Sequence, residues 1–415
     1  MSPPSSTLLE SPSAALGAAP PSSVTDETAA KSPAPTTAGL PPRPAWVEID
    51  LATLRRNFEL IGEDKPRELR VLSVVKDEGY GHGALAVAHA ALSCGVSFLA
   101  LSTLEEAMAL RDRGVRARLL LLGDRRENEL PWCLAHDLTC CVSQASSVEE
   151  LAKLAARTGR RIPVHLKVNT GMNRYGVHWN EAAAVIDLIA ATPALYLEGV
   201  LSHFAQSDET DKTFALLQLS RFQEVLDDLT ARGLQVKFRH LCNSGGFLDL
   251  PQAHFDMVRL GILPLGVYPS SVCRRIPGIE SAMSVKARIA AVQQLRPGDS
   301  VGYGMRFTAV TPRRIAVLPI GYGDGFPRVR NQGCALIHGR RAPLVGGVAM
   351  DAITVDITEI PEARLWDEAV VMGRQAGAEI TVHEVAKLKN SVSYDVLTSW
   401  RLRLPRVYVN EAAST

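Results

Sequence analysis

The 415-residue sequence predicts an α/β protein: an N-terminal (β/α)8 barrel of TIM type followed by a mainly β C-terminal domain. Two rhythms and one contrast in composition carry that expectation. Between residues 69 and 261, eight short apolar, β-rich runs alternate with helix-length amphipathic segments, the repeat of a closed parallel barrel. After Tyr268 the runs shorten and turn signals crowd between them, as in antiparallel β structure. Residues 1–44 are dominated by Pro, Ser, Ala and Thr and contain no aromatic residue. Such a segment cannot bury enough surface to order itself and reads as a disordered tail.

In chain order, Trp46, Val47, Ile49 and Leu51 predict a strand ahead of the barrel, able to pair with the second domain. The barrel runs lie at 69–75, 97–102, 117–123, 138–142, 163–169, 197–204, 238–244 and 256–261. Helices are expected at 84–92, 103–114, 146–157, 180–190 and 212–232. In the last of these Leu219, Phe222, Leu226 and Leu229 share one face at helical spacing. Gly114, Gly159 and Gly233 follow helical patterns and read as C-terminal stops. The barrel domain is therefore placed at 45–280 and the β domain at 281–415. Strands of the latter are expected at 282–295, 313–320, 334–339, 342–347, 352–357 and 368–373, with a short helix near 383–389.

Composition narrows the class of partner. A net charge of +1 argues against a nucleic-acid or acidic-polymer partner. No apolar run is long enough to span a membrane. No charged start leads into an apolar core, so a secretory signal is not expected and the chain reads as cytoplasmic. The seven cysteines are scattered without CxxC spacing, which suits buried thiols in a reducing compartment and not a disulfide framework or a metal site.

The first barrel run ends at Lys76, and Gly79, Gly81 and Gly83 follow at once. Folds of this class place their chemistry at the carboxyl ends of strands. A lysine there is partly desolvated, so its proton affinity falls and its amine becomes a nucleophile toward an aldehyde. Alone, such a lysine more often reaches from the strand end into solvent. Polar residues after the other runs change that balance. Asn169, Arg174 and Tyr175 follow the fifth, His203 closes the sixth, Asn243 and Ser244 the seventh, and Arg259 and Gly261 the eighth. This set suits a phosphorylated aldehyde cofactor and a carboxylate substrate. Ser244, with backbone N–H groups near Gly261 and Ile262, can hold a phosphate where barrels often do so, and Arg174 has the fork geometry for a carboxylate.

The same residues carry a family resemblance. VVKDEGYGHG at 74–83 resembles the cofactor-lysine signature of alanine racemases. KVNTGMNRYG (167–176), SHFAQSDE (202–209), CNS (242–244) and VRLGILPLGVY (258–268) resemble the family's later barrel blocks, in the same order. VGYGMRF (301–307), LPIGYGDGFPR (318–328), VGGVAMD (345–351) and SYDVL (393–397) resemble its β-domain blocks. The resemblance runs from about Pro44 to Val409.

It implies a racemase of fold type III that uses pyridoxal 5'-phosphate (PLP) and works as a head-to-tail homodimer on a small amino acid, supplying D-alanine for peptidoglycan. On the matching positions, Lys76 holds PLP as a Schiff base and acts on the D-enantiomer, and Tyr303 of the other subunit is the opposing base. Tyr80, Asn243, Ser244, Gly261, Ile262 and Tyr394 fall at the family's cofactor-binding positions, most of them around the phosphate. His203 matches the ring-stacking histidine, and Arg259 the arginine facing the pyridine nitrogen. Arg174 and the backbone of Met350 match the substrate carboxylate site. Lys167 stands where many members carry a carbamylated lysine, and Asp208, Tyr322, Arg328 and Tyr394 match residues of the entry channel. No metal is implied.

Three departures stand out: Asp77-Glu78-Gly79 replaces a neutral tripeptide, Asn169 a common aspartate, and Ala349 a frequent Cys or Ser. The acids are expected to face outward. Ala349 motivates an alternative, a racemase of broader or serine/basic amino-acid preference. Remoter alternatives are a PLP decarboxylase of the same fold type and a non-catalytic PLP-binding protein. The first would pair a glutamate, not Arg259, with the ring nitrogen, and the second would lack the β domain carrying Tyr303.

Overall fold

The computed structural model describes residues 43–411, so the predicted tail lies outside the described residues apart from Arg43 and Pro44. All eight barrel runs form strands: Arg70–Val74, Phe98–Leu101, Arg118–Leu121, Leu138–Val142, Ile162–Asn169, Leu195–Leu201, Phe238–His240 and Met257–Leu260. Each pairs in parallel with the next, from the first to the seventh, and the eighth pairs back onto the first. The gap between seventh and eighth is bridged by the Asp256 and Arg259 N–H groups, which donate to the carbonyls of Arg239 (3.1 Å) and Cys242 (3.0 Å). The result is a nearly closed eight-stranded barrel.

The strands are apolar on both faces for a geometric reason. Leu72, Val74, Phe98, Ala100, Leu120, Cys141, Leu201, Phe238 and Met257 fill the barrel interior. Their alternate neighbours Leu99, Leu101, Leu119, Leu121, Cys140 and Val142 pack outward against the helices. Those helices follow the predicted spacing. Helix Thr213–Ala231, for instance, buries Phe222, Leu226 and Leu229 on the face read from the sequence. The upper interior departs from the pattern: the fifth, seventh and eighth strands turn Lys167, His240 and Arg259 inward.

The second domain is mainly β. Its larger sheet runs, in spatial order, Arg340–Pro343, Cys334–Ile337, Glu368–Gln375, Met283–Arg288, Ala45–Asp50 and Arg406–Val409. Ala45–Asp50 lies antiparallel to Met283–Arg288 and parallel to Arg406–Val409. Leu51 is not part of that strand. The Asp50 side chain accepts from the Thr53 N–H (2.9 Å), caps a helix, and so makes Leu51 its first residue.

Two further expectations are corrected. The run 282–295 is two strands, because the Ile289 N–H donates to Asp367 O in one sheet and the Ala290 N–H to Val317 O in another. The run 342–347 begins earlier, at Arg340–Pro343. His338 (φ 50°) and Gly339 (φ 74°) make a two-residue hairpin turn, and such a turn puts the return strand immediately after it. Among the described residues no helix is long and apolar enough to cross a membrane. Five cysteines are buried and two half-buried, and all are free thiols.

Candidate active site

The first barrel strand delivers Lys76 to the C-terminal mouth of the barrel. Burial lowers the proton affinity of its amine, Arg174 lowers it further, and Glu106 and Asp77 work in the opposite direction. The chain then makes a left-handed turn: Asp77, Glu78, Gly79 and Tyr80 have φ of 52°, 53°, 59° and 54°. Three of these residues are not glycine, and each such residue costs about 1–2 kcal/mol in this conformation. Asp77 and Glu78 both face solvent, and the Asp77 charge is the weakest of the influences on Lys76.

The turn is held from two sides by residues the sequence reading did not single out. Glu106, in the capping box that opens helix Leu104–Asp112, accepts from the N–H groups of Ser102 (2.9 Å) and Thr103 (3.1 Å). Its other oxygen accepts from the Asp77 N–H at 2.6 Å, so one carboxylate ties the turn to the helix. From the β domain, Arg406 Nε donates to the Gly81 carbonyl (3.1 Å). A TxxE capping signal was legible at 103–106, but nothing local reveals that its carboxylate reaches residue 77.

Around Lys76 the barrel mouth gathers most of the expected residues. Arg259 is buried, and its guanidinium donates to the carbonyls of Ser202 (2.6 Å), His240 (2.7 Å) and Leu241 (3.0 Å). Burial lowers its pKa to about 10, which leaves it a cation at neutral pH. Its Nη2 also lies 3.0 Å from His203 Nδ1. A guanidinium only donates, so His203 accepts there, and burial together with Arg259 holds that ring neutral. Lys167 sits nearby, where burial, Arg259 and Arg174 bring its amine to about 7. Arg174 itself is exposed, yet its charge reaches Lys76, Tyr80, Lys167, His203 and Arg259. Asn169 shapes its loop, since the Asn169 side chain accepts from the N–H groups of Gly171 and Asn173 at 3.0 Å each.

At the seventh and eighth strands, Asn243 caps helix Ser244–Asp249 by accepting from the Gly246 N–H (2.9 Å), and Ser244 Oγ accepts from the Leu263 N–H (3.4 Å). Gly261 and Ile262 follow the eighth strand. A Cβ on Gly261 would lie 2.5 Å from the Tyr80 hydroxyl, so the tyrosine tip and this backbone meet only because the residue is glycine. Burial pushes Tyr80 up to about 12 and raises Tyr394 as well, so both phenols stay protonated donors; their rings lie 6.2 Å apart.

These observations fit PLP: a lysine of lowered proton affinity, a wholly buried donor-only cation, and Tyr80, Ser244 and Gly261 close together. Lys76, Tyr80, His203, Asn243, Ser244, Arg259, Gly261, Ile262 and Tyr394 are the residues that would hold it. Two expected residues stand elsewhere in the chain. Tyr303 is 83% exposed on a short turn of the β domain, beside a hollow of about 440 Å³ that Tyr322, Arg328 and Arg330 also line. Met350 is half exposed, with its carbonyl accepting from the Gly323 N–H (2.8 Å).

Comparison with known proteins places this geometry. Residues 49–269 match the description "Alanine racemase, N-terminal domain" and residues 282–408 "Alanine racemase, C-terminal domain". The alanine racemase of Syntrophobacter fumaroxidans is 41% identical over 356 residues, covering 86% of this chain and 95% of the relative. That of Desulfosudis oleivorans is 38% identical, covering 89% and 98%. Among solved structures, alanine racemase from Clostridium difficile superposes with a TM-score of 0.84 at 31% identity, covering 90% of this chain and 98% of that one. The Bacillus anthracis enzyme, solved with bound L-Ala-P, gives 0.84 at 32% identity, covering 90% and 97%. The chain belongs to the alanine racemase family of PLP-dependent isomerases.

Proposed function

We propose that the protein interconverts L-alanine and D-alanine by two-base proton exchange, as a cytoplasmic head-to-tail homodimer that supplies D-alanine for peptidoglycan. The observation that carries this reading is Lys76, a lysine of lowered proton affinity at the end of the first barrel strand; its charge and that of the buried Arg259 both reach His203.

Each residue has a defined task. Lys76 would tether the cofactor and, with its amine free, take or return the α-proton on the D side. Tyr80 and Ser244 would hold the phosphate, together with backbone N–H groups at Gly261 and Ile262. Asn243 orders that corner, Tyr394 packs near Tyr80, and His203 would bind the ring. Arg259 would donate to the ring nitrogen and keep its own proton, restraining electron withdrawal and limiting side reactions. When bound, PLP supplies the electron sink that stabilises negative charge at the substrate's α-carbon.

Exchange of configuration requires a proton taken from one face and returned to the other, so a second base must stand opposite Lys76. Tyr303 fits that role from the partner subunit. Its 83% exposure, with Met305 at 72% nearby, supports a contact surface there. Arg174 and the Met350 backbone receive the substrate carboxylate. Carbamylated Lys167 fits its place too, because the modification puts an anion, in place of an amine held near neutrality, where the charges of Arg259 and Arg174 both reach.

The test is borohydride reduction of the purified protein followed by peptide mapping, with racemisation of a panel of L-amino acids measured alongside. A pyridoxyl group on Lys76 and a strong preference for alanine are expected. A label elsewhere ends the assignment of Lys76, and equal rates on alanine and a bulky amino acid end the assignment of substrate.

A further inference from the structure

Below the mouth, the barrel interior holds a run of buried polar groups that the reaction above leaves unused. Among the described residues, no carboxylate pairs with Arg259, although its cation is wholly buried. Its Nη1 lies 3.1 Å from His240 Nδ1. A guanidinium can only donate, so His240 Nδ1 accepts and the His240 proton sits on Nε2. That Nε2 lies 2.9 Å from His165 Nδ1, which must accept in turn and leaves the His165 proton on its own Nε2. Among the described residues His165 Nε2 makes no hydrogen bond, and Glu198 Oε2 lies 3.4 Å from it. Glu198 completes the run by pairing with Arg118.

The two ends impose the order. Arg259 can only donate and a carboxylate can only accept, so the two imidazole hydrogen bonds and the longer contact to Glu198 agree with one direction of donation alone. The surroundings preserve it. Burial keeps both imidazoles neutral, helped at His240 by Arg259 and opposed at His165 by Glu198. Phe98 stands edge-on to the His165 ring at 5.9 Å and Phe238 stacks on it at 6.0 Å. Space for the ring depends on Gly199, where a Cβ would lie 2.6 Å from His165 Nδ1.

We propose that Glu198 is a positioning residue for the reaction. From the opposite end of the barrel it sets, through His165 and His240, the donor–acceptor order that aims Arg259 at the cofactor's ring nitrogen. This rests on the reading of Arg259 as the ring-nitrogen partner.

The test uses holoenzyme labelled with ¹⁵N-histidine, read by NMR for proton position. In the wild-type protein both rings are expected neutral with Nε2–H, and an Nδ1–H or a doubly protonated ring at His165 or His240 overturns the proposal without any variant. In Glu198→Gln the amide oxygen is claimed by Arg118, a pure donor, so the NH2 faces His165 and the order reverses at that ring. The expected result is transfer of the His165 proton to Nδ1 and a shifted absorbance of the lysine-linked cofactor. With the carboxylate's charge removed from that contact, kcat falls on the order of tenfold while KM for alanine holds. Unchanged proton positions, absorbance and kcat in a folded Glu198→Gln protein overturn it. Failure of the underlying reading looks different: Arg259→Lys would leave the absorbance unmoved while the histidine proton positions stand.

Discussion

Lys167 offers the most quantitative test of the site. Burial, then Arg259 and Arg174, bring its amine to about 7 against the opposing Cys141 thiol. Only the neutral amine reacts with carbon dioxide. At pH 7.5 a lysine titrating at 7 is roughly 75% neutral, against ~0.1% for an ordinary lysine, so the reactive fraction is on the order of 700 times larger. The shift also predicts a pH dependence of stability for the unmodified protein. Between about 7 and the ordinary lysine value of about 10.4, the folded state binds fewer protons than the unfolded state, so stability rises with pH through that window. The total gain is about 5 kcal/mol at most. Carbamylation removes the protonatable amine and with it this dependence. The assay is ¹³C NMR of protein prepared free of carbon dioxide, before and after addition of ¹³C-bicarbonate, with melting curves at pH 7 and pH 9. A carbamate resonance absent from Lys167→Met, and a higher melting temperature with bicarbonate at pH 7, are expected. No Lys167-dependent resonance, or identical melting at the two pH values without bicarbonate, would refute the reasoning.

Three further outcomes follow from the same geometry. Tyr303→Phe is expected to abolish nearly all α-proton exchange from L-alanine while sparing part of the exchange from D-alanine, measured in deuterated water; equal loss in both directions with cofactor intact would contradict its role. Glu106→Gln removes a charge that favours the protonated Lys76 amine, so the pH midpoint for cofactor attachment, followed by absorbance, moves down. Loosening the left-handed turn in that variant costs about 1–2 kcal/mol in urea unfolding. Gly261→Ala drives a methyl group to 2.5 Å from the Tyr80 hydroxyl, so cofactor affinity measured by reconstitution falls, by roughly tenfold for each 1.4 kcal/mol of strain; unchanged affinity would remove the glycine from the phosphate corner.

Much of this protein was legible in its sequence because the deciding signals are local. A barrel strand buried on both faces must be a short apolar run, so all eight strands could be read from residues 69 to 261. Strand ends converge on one mouth in this fold, so Lys76, His203, Ser244 and Arg259 could be singled out from their positions at or near the ends of those runs. Other features depend on groups far apart in the chain. The split of 282–295 between two sheets depends on carbonyls at 317 and 367. The hold on the Lys76 turn comes from a helix cap 29 residues away and from Arg406 in the last strand. The buried run from Arg259 to Glu198 joins four strands of the barrel, in which His240, His165 and Glu198 each taken alone read as ordinary strand residues. Local pattern determined which elements form and which polar residues stand at their ends. Tertiary packing decided which distant donors and acceptors meet, because a hydrogen bond is set by a distance of about 3 Å in space and not by separation along the chain.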